Sequence, residues 1–305
     1  MKITLSLSEE SRTLYGENLR GHGRSYMGSK FLADAFVKRG HDLTIIHPSD
    51  LIESKKGIIA RRTYTFQEEN FFIIGEDQKL SGDVFFVYSL DEEKGPLVSK
   101  QFLDRLYVIE NQFDLMLNSA ESTSYEYKPK QKSLDLPWIP EFEVKKQSDI
   151  SDLLVNGEKI IAKPKIGACG QGIVFLEDGD NINQIKELEN FFFEKYIPAV
   201  EERRYIFLDE QCIIRRRIKK TGLPGKEKCT NIDLMEGDER ELAIAKKTIS
   251  SIGMFYGTVD FRGDYVLEIN GSGTGVAPPT VGKERDCYNL SNPIVQAVER
   301  KIQKQ

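Results

Sequence analysis

The chain has 305 residues, of which 39% are hydrophobic, enough for a sizeable core in one large domain or in two or three lobes. Its 43 basic and 48 acidic residues give a net charge of -5, which argues against a general nucleic-acid binder. The four cysteines form no CxxC pair, the start MKITLSLSEES is too short and polar for a signal peptide, and no stretch reaches the length of a membrane-spanning helix. The composition therefore predicts a globular cytoplasmic protein without nucleic-acid or membrane partners.

The N-terminal third alternates between strand and helix patterns. Strands are predicted at MKITLSLS, LTIIH, DVFFVYS and FDLMLNS. Between them, GSKFLADAFVKRG is an amphipathic helix with Phe31, Leu32, Ala35 and Phe36 on one side, and the segment Pro96 to Leu106 is a second helix candidate. This alternation is typical of an α/β domain with an open parallel sheet, which we place over residues 1–120.

The amino-acid composition changes around residues 120–140, SAESTSYEYKPKQKSLDLPWIP. This segment is polar and contains several prolines, so we place a lobe boundary there. Strands are then predicted at KIIAKPKI, GIVFLED, NFFFEKYI, RRYIFLD and QCIIRRRI. The segment DERELAIAKKTISSIG is an amphipathic helix in which Asp238 and Glu241 have capping-box spacing, and the strand pair MFYGTVDF and DYVLEIN follows it. The pattern predicts two α+β lobes, at residues 121–198 and 199–305.

The stretch YVLEINGSGTG carries Glu268 and Asn270 two residues apart, so a strand would place both side chains on one face. A half-exposed edge strand with polar residues facing water would look the same. A three-residue turn over 262–264, with Gly263 at positive φ, would bring Asp260 to the same face. A two-residue turn would instead put Asp260 on the face that carries Tyr265 and Leu267. Three such oxygen ligands would suit Mg²⁺ that also binds substrate phosphates.

A glycine-rich loop, GACGQG at residues 167–172, lies between two predicted strands. It matches neither GxxxxGK[ST] nor GxGxxG, and no helix follows it, so it is either a phosphate-binding hairpin loop or a hairpin that binds nothing. Lys163 ends the apolar run before this loop, where a phosphate partner would explain it and where a lysine snorkelling from a strand end is the alternative.

The segment RRRIKK, residues 215–220, is a third candidate feature. A nucleic-acid patch would use such charges together, but a strand splits them between two faces. An arginine on the ligand side could offset charge on a transferring phosphoryl group.

The order of these features resembles the ATP-grasp superfamily, most closely the branch of bacterial glutathione synthetase and ribosomal-protein glutamate ligase. The resemblance covers roughly residues 120–280, and VDFRGDYVLEINGSGTG is similar to the metal-binding signature of that family in order and spacing. It implies an N-terminal α/β lobe followed by two α+β lobes that clasp ATP, with a glycine-rich lid in the first of them and a metal site in the second.

The resemblance also implies roles for particular residues. Mg²⁺, with Mn²⁺ as an alternative, would be held by Asp260, Glu268 and Asn270. Phosphate would be contacted by Lys163 and by a second lysine, for which we choose Lys130 over Lys128 and Lys132. The remaining assignments are a lid of Gly167, Gly170, Gln171 and Gly172, an adenine-binding segment of Glu194, Lys195, Tyr196 and Ile197, the ribose ligand Glu202, and the catalytic residues Arg217 and Asn231.

The reaction that the resemblance implies is amide or peptide bond formation. A carboxylate of an amino acid, small peptide or peptide terminus attacks the γ-phosphoryl group of ATP, which gives an acylphosphate and releases ADP. An amine then attacks the acylphosphate, forms the amide and releases phosphate. A nucleotide-binding module without turnover is the alternative. KEKCTNIDL and VYSLDEEKGP depart from the glutathione synthetase pattern, so the substrates stay open, and assembly into a homo-oligomer is compatible with the sequence.

A further feature is the loop LRGHGRSYMGSK before the first helix, which has two readings. Its residues Arg20, Arg24 and Ser29 could bind a substrate carboxylate at the helix N-terminus, or could form a flexible polar entry to the helix.

Overall fold

The computed structural model describes residues 1–7, 24–55, 57–67, 70–88, 91–92, 95–96, 100–165, 172–177, 179–198, 201–222, 228–271 and 290–304. The strands are, in chain order, β1 (Lys2–Ser6), β2 (Asp42–Ile46), β3 (Leu51–Ser54), β4 (Gly57–Gln67), β5 (Asn70–Lys79), β6 (Gly82–Val87), β7 (Asp91–Glu92), β8 (Gly95–Pro96), β9 (Phe113–Leu117), β10 (Ile160–Pro164), β11 (Val174–Leu176), β12 (Phe191–Lys195), β13 (Glu201–Leu208), β14 (Gln211–Thr221), β15 (Lys228–Leu234), β16 (Tyr256–Arg262) and β17 (Tyr265–Asn270). The helices are α1 (Arg24–Lys38), α2 (Lys100–Glu110), α3 (Ala120–Ser124), α4 (Lys128–Lys132), α5 (Gln147–Val155), α6 (Glu239–Ser251) and α7 (Ser291–Gln303). Short 3₁₀ turns lie at Pro48–Asp50, Gly179–Gln184 and Leu188–Asn190.

The N-terminal sheet has the order β3-β4-β2-β1-β6-β9, with β5 paired to β4. Its four strands β2, β1, β6 and β9 are parallel, as the alternating pattern predicted. Strands β3, β4 and β5 extend it in antiparallel fashion, so the sheet is mixed and not wholly parallel. The β4–β5 hairpin, at residues 57–79, was not predicted from the sequence.

Two further sheets follow. Strands β11, β10 and β12 form a small antiparallel sheet, and β15, β14, β13, β16 and β17 form a five-stranded antiparallel sheet. Helix α6 packs on the face of β13 that carries the odd-numbered residues, where Tyr205 and Phe207 share a core with Ala245 and Ile249. The opposite face of β13 carries Arg204, and this face holds the candidate site.

Helix α6 begins as its capping pattern predicted. The side chain of Asp238 accepts hydrogen bonds from the backbone N–H groups of Arg240 and Glu241, at 2.8 and 3.0 Å. The carboxylate of Glu241, however, binds Arg203 and the hydroxyl of Tyr205, because β13 passes beside the first turn of the helix. Glu241 therefore anchors the helix to the sheet.

Helix α7 returns to the N-terminal sheet, where Ile294 and Val298 share a core with Ile3, Leu32 and Phe36. The sequence-based boundaries assigned this helix to the C-terminal lobe. The boundaries at residues 120 and 198 stay a prediction. Among the residues that the structure describes, no helix is long and apolar enough to cross a membrane.

Candidate active site

The hairpin of β16 and β17 brings Asp260 opposite Glu268. Arg262 pairs with Tyr265, so of the two turn lengths left open by the sequence the structure has the two-residue turn. Gly263 has φ +58, as the turn requires. The register shifts between Asp260 and Phe261, which makes Leu267 the extra residue of a β-bulge.

Without the bulge, the two-residue turn would place Asp260 and Glu268 on opposite faces of the sheet, and the extra residue brings them to the same face. Val266 pairs with Phe261 and is buried in the core under α6, whereas Glu268 pairs with Asp260 on the other face. Asn270 pairs with Thr258 on that same face. The three predicted metal ligands are therefore brought together.

Arg204 holds Asp260 in a two-pronged ion pair that the sequence analysis did not predict. Its Nε and Nη2 atoms donate to the two carboxylate oxygens of Asp260 at 2.8 and 2.5 Å, and Asp260 is fully buried. Burial raises the pKa of Asp260 to about 6, against the opposing charge of Arg204. Arg204 could have been predicted as a site residue because it lies two residues after Glu202, on the same face of one strand.

Glu268 has the opposite electrostatic balance. Burial alone would raise its pKa, but the charges of Arg204 and Lys128 and a hydrogen bond with Asn270 outweigh burial and lower it. Its carboxylate lies 4.0 Å from Nη2 of Arg204. Glu268 is therefore ionised at neutral pH and available to a cation.

A lysine cluster lies beside these acids, around the buried carboxylate of Glu194. Lys132 donates to Glu194 Oε1 at 2.7 Å, and Lys163 contacts Glu194 Oε2. Burial would raise the pKa of Glu194, but Lys163 and Lys132 together lower it. The side chain of Glu194 thus joins the strand end that carries Lys163 to α4, a role that the sequence analysis, which assigned its backbone to adenine, did not foresee.

The structure does not bring Lys130 to this cluster. Lys130 lies 2.6 Å from Glu121 Oε1 and over the ring of Tyr125, on the other side of α4. Lys128 instead faces the site, where burial lowers its pKa against the attraction of Glu268, and it also lies within the electrostatic reach of Lys163. Because α4 is a single turn, residues two apart point in different directions. The structure therefore brings Lys128, and not the chosen Lys130, to the acids.

The predicted adenine segment divides between two directions. Lys195 pairs with Glu158 and is about half exposed, so its side chain points away from the lysine cluster. Tyr196 packs on Phe175, and the carbonyl of Ile197 accepts a hydrogen bond from Nε of Arg262 at 3.2 Å.

Glu202, the predicted ribose ligand, lies in the same region as Ile197. Its buried carboxylate contacts Lys220 at 2.6 Å and Arg262 at 3.5 Å.

Arg217 lies on the wrong face of β14 for the role predicted for it. Its partner across the strands is Arg203, which binds Glu241 on the α6 face, and Arg217 itself contacts Glu201. Arg216 is instead the partner of Arg204, so Arg216 shares the face of Asp260 and is buried there. Strand alternation decides between the neighbouring arginines.

The predicted lid lies mostly outside the described residues. Gly167, Gly170 and Gln171 are not among the described residues. The side chain of Asn231, the predicted catalytic residue, also lies outside them, although its backbone pairs with Lys219. Arg20 of the N-terminal loop and the side chains of Arg24 and Ser29 also lie outside. Gly172 is described, has φ +71, and would place a Cβ atom 2.9 Å from Pro164.

The donor set fits a hard divalent cation. Asp260, Glu268 and Asn270 supply two carboxylates and an amide oxygen on one face, the ligands that Mg²⁺ prefers. Within the described ranges, no group of three or more His, Cys, Asp or Glu side chains could hold a metal ion alone.

Comparisons with known proteins identify the fold. No protein-family model matches the chain, and no curated protein matches its sequence. Among solved structures, the ATP-grasp ligase PsnB, complexed with a phosphomimetic variant of minimal precursor, Mg and ADP, has a TM-score of 0.66 and 15% identity, over 98% of each chain. The macrocyclase MdnC from Microcystis aeruginosa, bound with precursor peptide MdnA, has a TM-score of 0.63 and 14% identity, over 98% of this chain and 100% of that one. D-cycloserine synthetase DcsG has a TM-score of 0.59 and 13% identity, over 99% and 100%.

These alignments run the whole length of the chain and define its structural class. The protein has the ATP-grasp fold, which confirms the fold that the sequence predicted.

Proposed function

We propose that the protein is an ATP-dependent carboxylate–amine ligase that forms an amide or peptide bond through an acylphosphate. The observation that carries the proposal is the pairing of Asp260 with Glu268, beside Asn270, on a face that also receives Lys128. Holding like charges together is costly unless a cation or substrate uses them. The charges are opposite at the two ends of the site, as a metal–nucleotide complex requires.

The residues of the site would have separate roles in binding the metal ion and the phosphates. Mg²⁺, or Mn²⁺ in its place, would be held by Asp260, Glu268 and Asn270 and would supply charge neutralisation at the phosphate oxygens. Lys128 and Lys163 would bind phosphate oxygens, and Arg204 would keep Asp260 in place. In phosphoryl transfer, positioning and electrostatic stabilisation account for most of the rate, so no nucleophile of the protein is needed.

We propose a peptide carboxylate as the acid substrate and an amine of a peptide or amino acid as the acceptor. Support comes from PsnB and MdnC, which are solved with precursor peptides. Glutathione-synthetase-like chemistry describes the acylphosphate route, while glutathione itself has no support from the neighbours. We further propose the backbone of the Glu194 to Ile197 segment for adenine and Glu202 for ribose.

The test is phosphate release from ATP and Mg²⁺ across a panel of peptides and amines. We expect one acid–amine pair to stimulate release and to yield ADP and an amide product. Asp260→Asn should abolish the stimulation, whereas Glu239→Gln, which removes an exposed carboxylate on α6, should retain it. Bound ATP without release under any pair would contradict the ligase and indicate a non-catalytic module.

A further inference from the structure

The side-chain amide of Gln131 lies against the outer edge of β17. It is almost fully buried, its Nε2 donates to the carbonyl oxygen of Ile269 at 2.7 Å, and the N–H of Ile269 donates to its Oε1 at 3.0 Å. One amide thus satisfies both backbone groups of a single residue. That residue stands between Glu268 and Asn270, two of the proposed metal ligands.

Strand β17 is the last strand of its sheet, so its outward backbone groups need partners from elsewhere. The contacts of Gln131 are the centre of a row along this edge. The N–H of Val266 donates to the carbonyl of Pro137 at 2.8 Å, and the carbonyl of Gly271 accepts from Asn118 at 2.8 Å. The segment 118–138 therefore occupies the place of a sixth strand.

The same segment carries the lysine end of the site. Gln131 lies in α4 between Lys128, which faces Glu268, and Lys132, which binds Glu194. Gln131 therefore directly connects the strand that holds Glu268 and Asn270 to the helix that holds the lysines.

We propose that Gln131 is a positioning residue for the metal site, an inference that rests on the proposed function. By holding the peptide groups of Ile269, it sets the directions in which Glu268 and Asn270 leave the strand, and it sets their distance from Lys128. Residues that orient metal ligands from behind typically change metal affinity 10- to 100-fold when they are replaced.

A merely structural role would have a different consequence. A buried amide that only satisfies a strand edge would lower the unfolding temperature when removed, because the groups of Ile269 would lose their partner. It would leave the metal affinity of the folded protein unchanged. Metal binding measured on folded protein therefore separates the two roles.

The test compares Gln131→Met with Gln147→Met. Methionine keeps the length of the side chain but can make neither bond. Gln147, an exposed glutamine on α5, is the control, because its Nε2 also donates to a backbone carbonyl, that of Ile185 at 3.4 Å, but does not bond to β17. Mn²⁺ binding is titrated by electron paramagnetic resonance with the β,γ-imido analogue of ATP, at a temperature at which circular dichroism shows both variants folded. The KM for Mg²⁺ and the kcat of phosphate release are measured alongside.

We expect Q131M to bind Mn²⁺ about 10- to 100-fold more weakly, with a raised KM for Mg²⁺, and Q147M to stay within about twofold of the unmodified protein. If Q131M does not fold, Q131N replaces it, because it keeps an uncharged amide but is one methylene too short to make both bonds to Ile269. Unchanged Mn²⁺ affinity in the folded variant overturns the positioning role alone. No Mn²⁺–nucleotide binding by the unmodified protein overturns the proposed function itself.

Discussion

The buried carboxylate of Asp260 gives the protein a pH dependence of stability that one substitution should remove. In the metal-free protein its pKa is raised from 3.8 to about 6, because burial outweighs the charge of Arg204. Between these values the folded protein holds a proton that the unfolded chain has released, so the free energy of unfolding falls as pH rises. The shift corresponds to about 3 kcal/mol in full, of which about 2 kcal/mol is lost between pH 4 and pH 7.

Asp260→Asn keeps the shape of the side chain and cannot titrate. We expect the difference in unfolding free energy, unmodified protein minus D260N, to fall by about 2 kcal/mol from pH 4 to pH 7 in the presence of a chelator. Urea unfolding followed by the fluorescence of Trp138, the single tryptophan, provides the measurement. Trp138 is bridged to Val266 of β17 and therefore reports on the strand next to Asp260.

Divalent cation with nucleotide supplies the control, because a bound cation favours the ionised carboxylate and should abolish the decline. Parallel stability curves for the two proteins in the chelator would refute the reasoning. They would mean that Asp260 is solvated or that Arg204 compensates its burial completely.

Three further substitutions test the geometry of the site. Arg204→Met should lower the free energy of unfolding by about 3–5 kcal/mol, since it leaves a buried carboxylate without its partner, whereas Arg217→Met, which removes a half-exposed arginine on the other face, should cost less than about 1 kcal/mol in the same urea assay. Lys128→Met should weaken ATP binding, measured by calorimetry, about tenfold, and Lys130→Met should not. Gly172→Ala should lower the unfolding free energy by about 1–2 kcal/mol, because its φ of +71 disfavours a side chain. Equal effects within the arginine pair or the lysine pair would contradict the face assignments, and a neutral G172A would contradict the backbone conformation at Gly172.

Secondary structure was predictable where the hydrophobic pattern is regular. The alternation around MKITLSLS, LTIIH and DVFFVYS indicated three of the parallel strands, and the apolar stripe with Asp238 indicated α6 and its first residue. The β4–β5 hairpin was missed because β5 lies at the sheet edge with Phe72, Ile73 and Ile74 exposed in succession, so it has no alternation of buried and exposed residues.

The types of residue in the site were also readable from the sequence, because a strand period of two places Glu268 and Asn270 together whatever the rest of the chain does. Their partner across the hairpin was not. A bulge at Leu267 restored the pairing with Asp260 that the two-residue turn would have prevented, and bulges depend on how both faces of a sheet are filled.

By itself, the sequence determined those strands and helices that have a regular hydrophobic pattern and the chemical character of the site, because both follow from local periodicity and residue type. Only the tertiary structure decided which arginine and lysine side chains contact the carboxylates of the site. Arg204 lies 56 residues before Asp260, and their pairing depends on the register of β13 and β16. Lys132 lies 62 residues before Glu194, and their pairing depends on how α4 packs beside β12. Strand register turns Arg217 away from the acids, because a one-residue change of position along a strand reverses the face of a side chain. The turn of α4 directs Lys130 to Glu121, because residues two apart on a helix point in different directions.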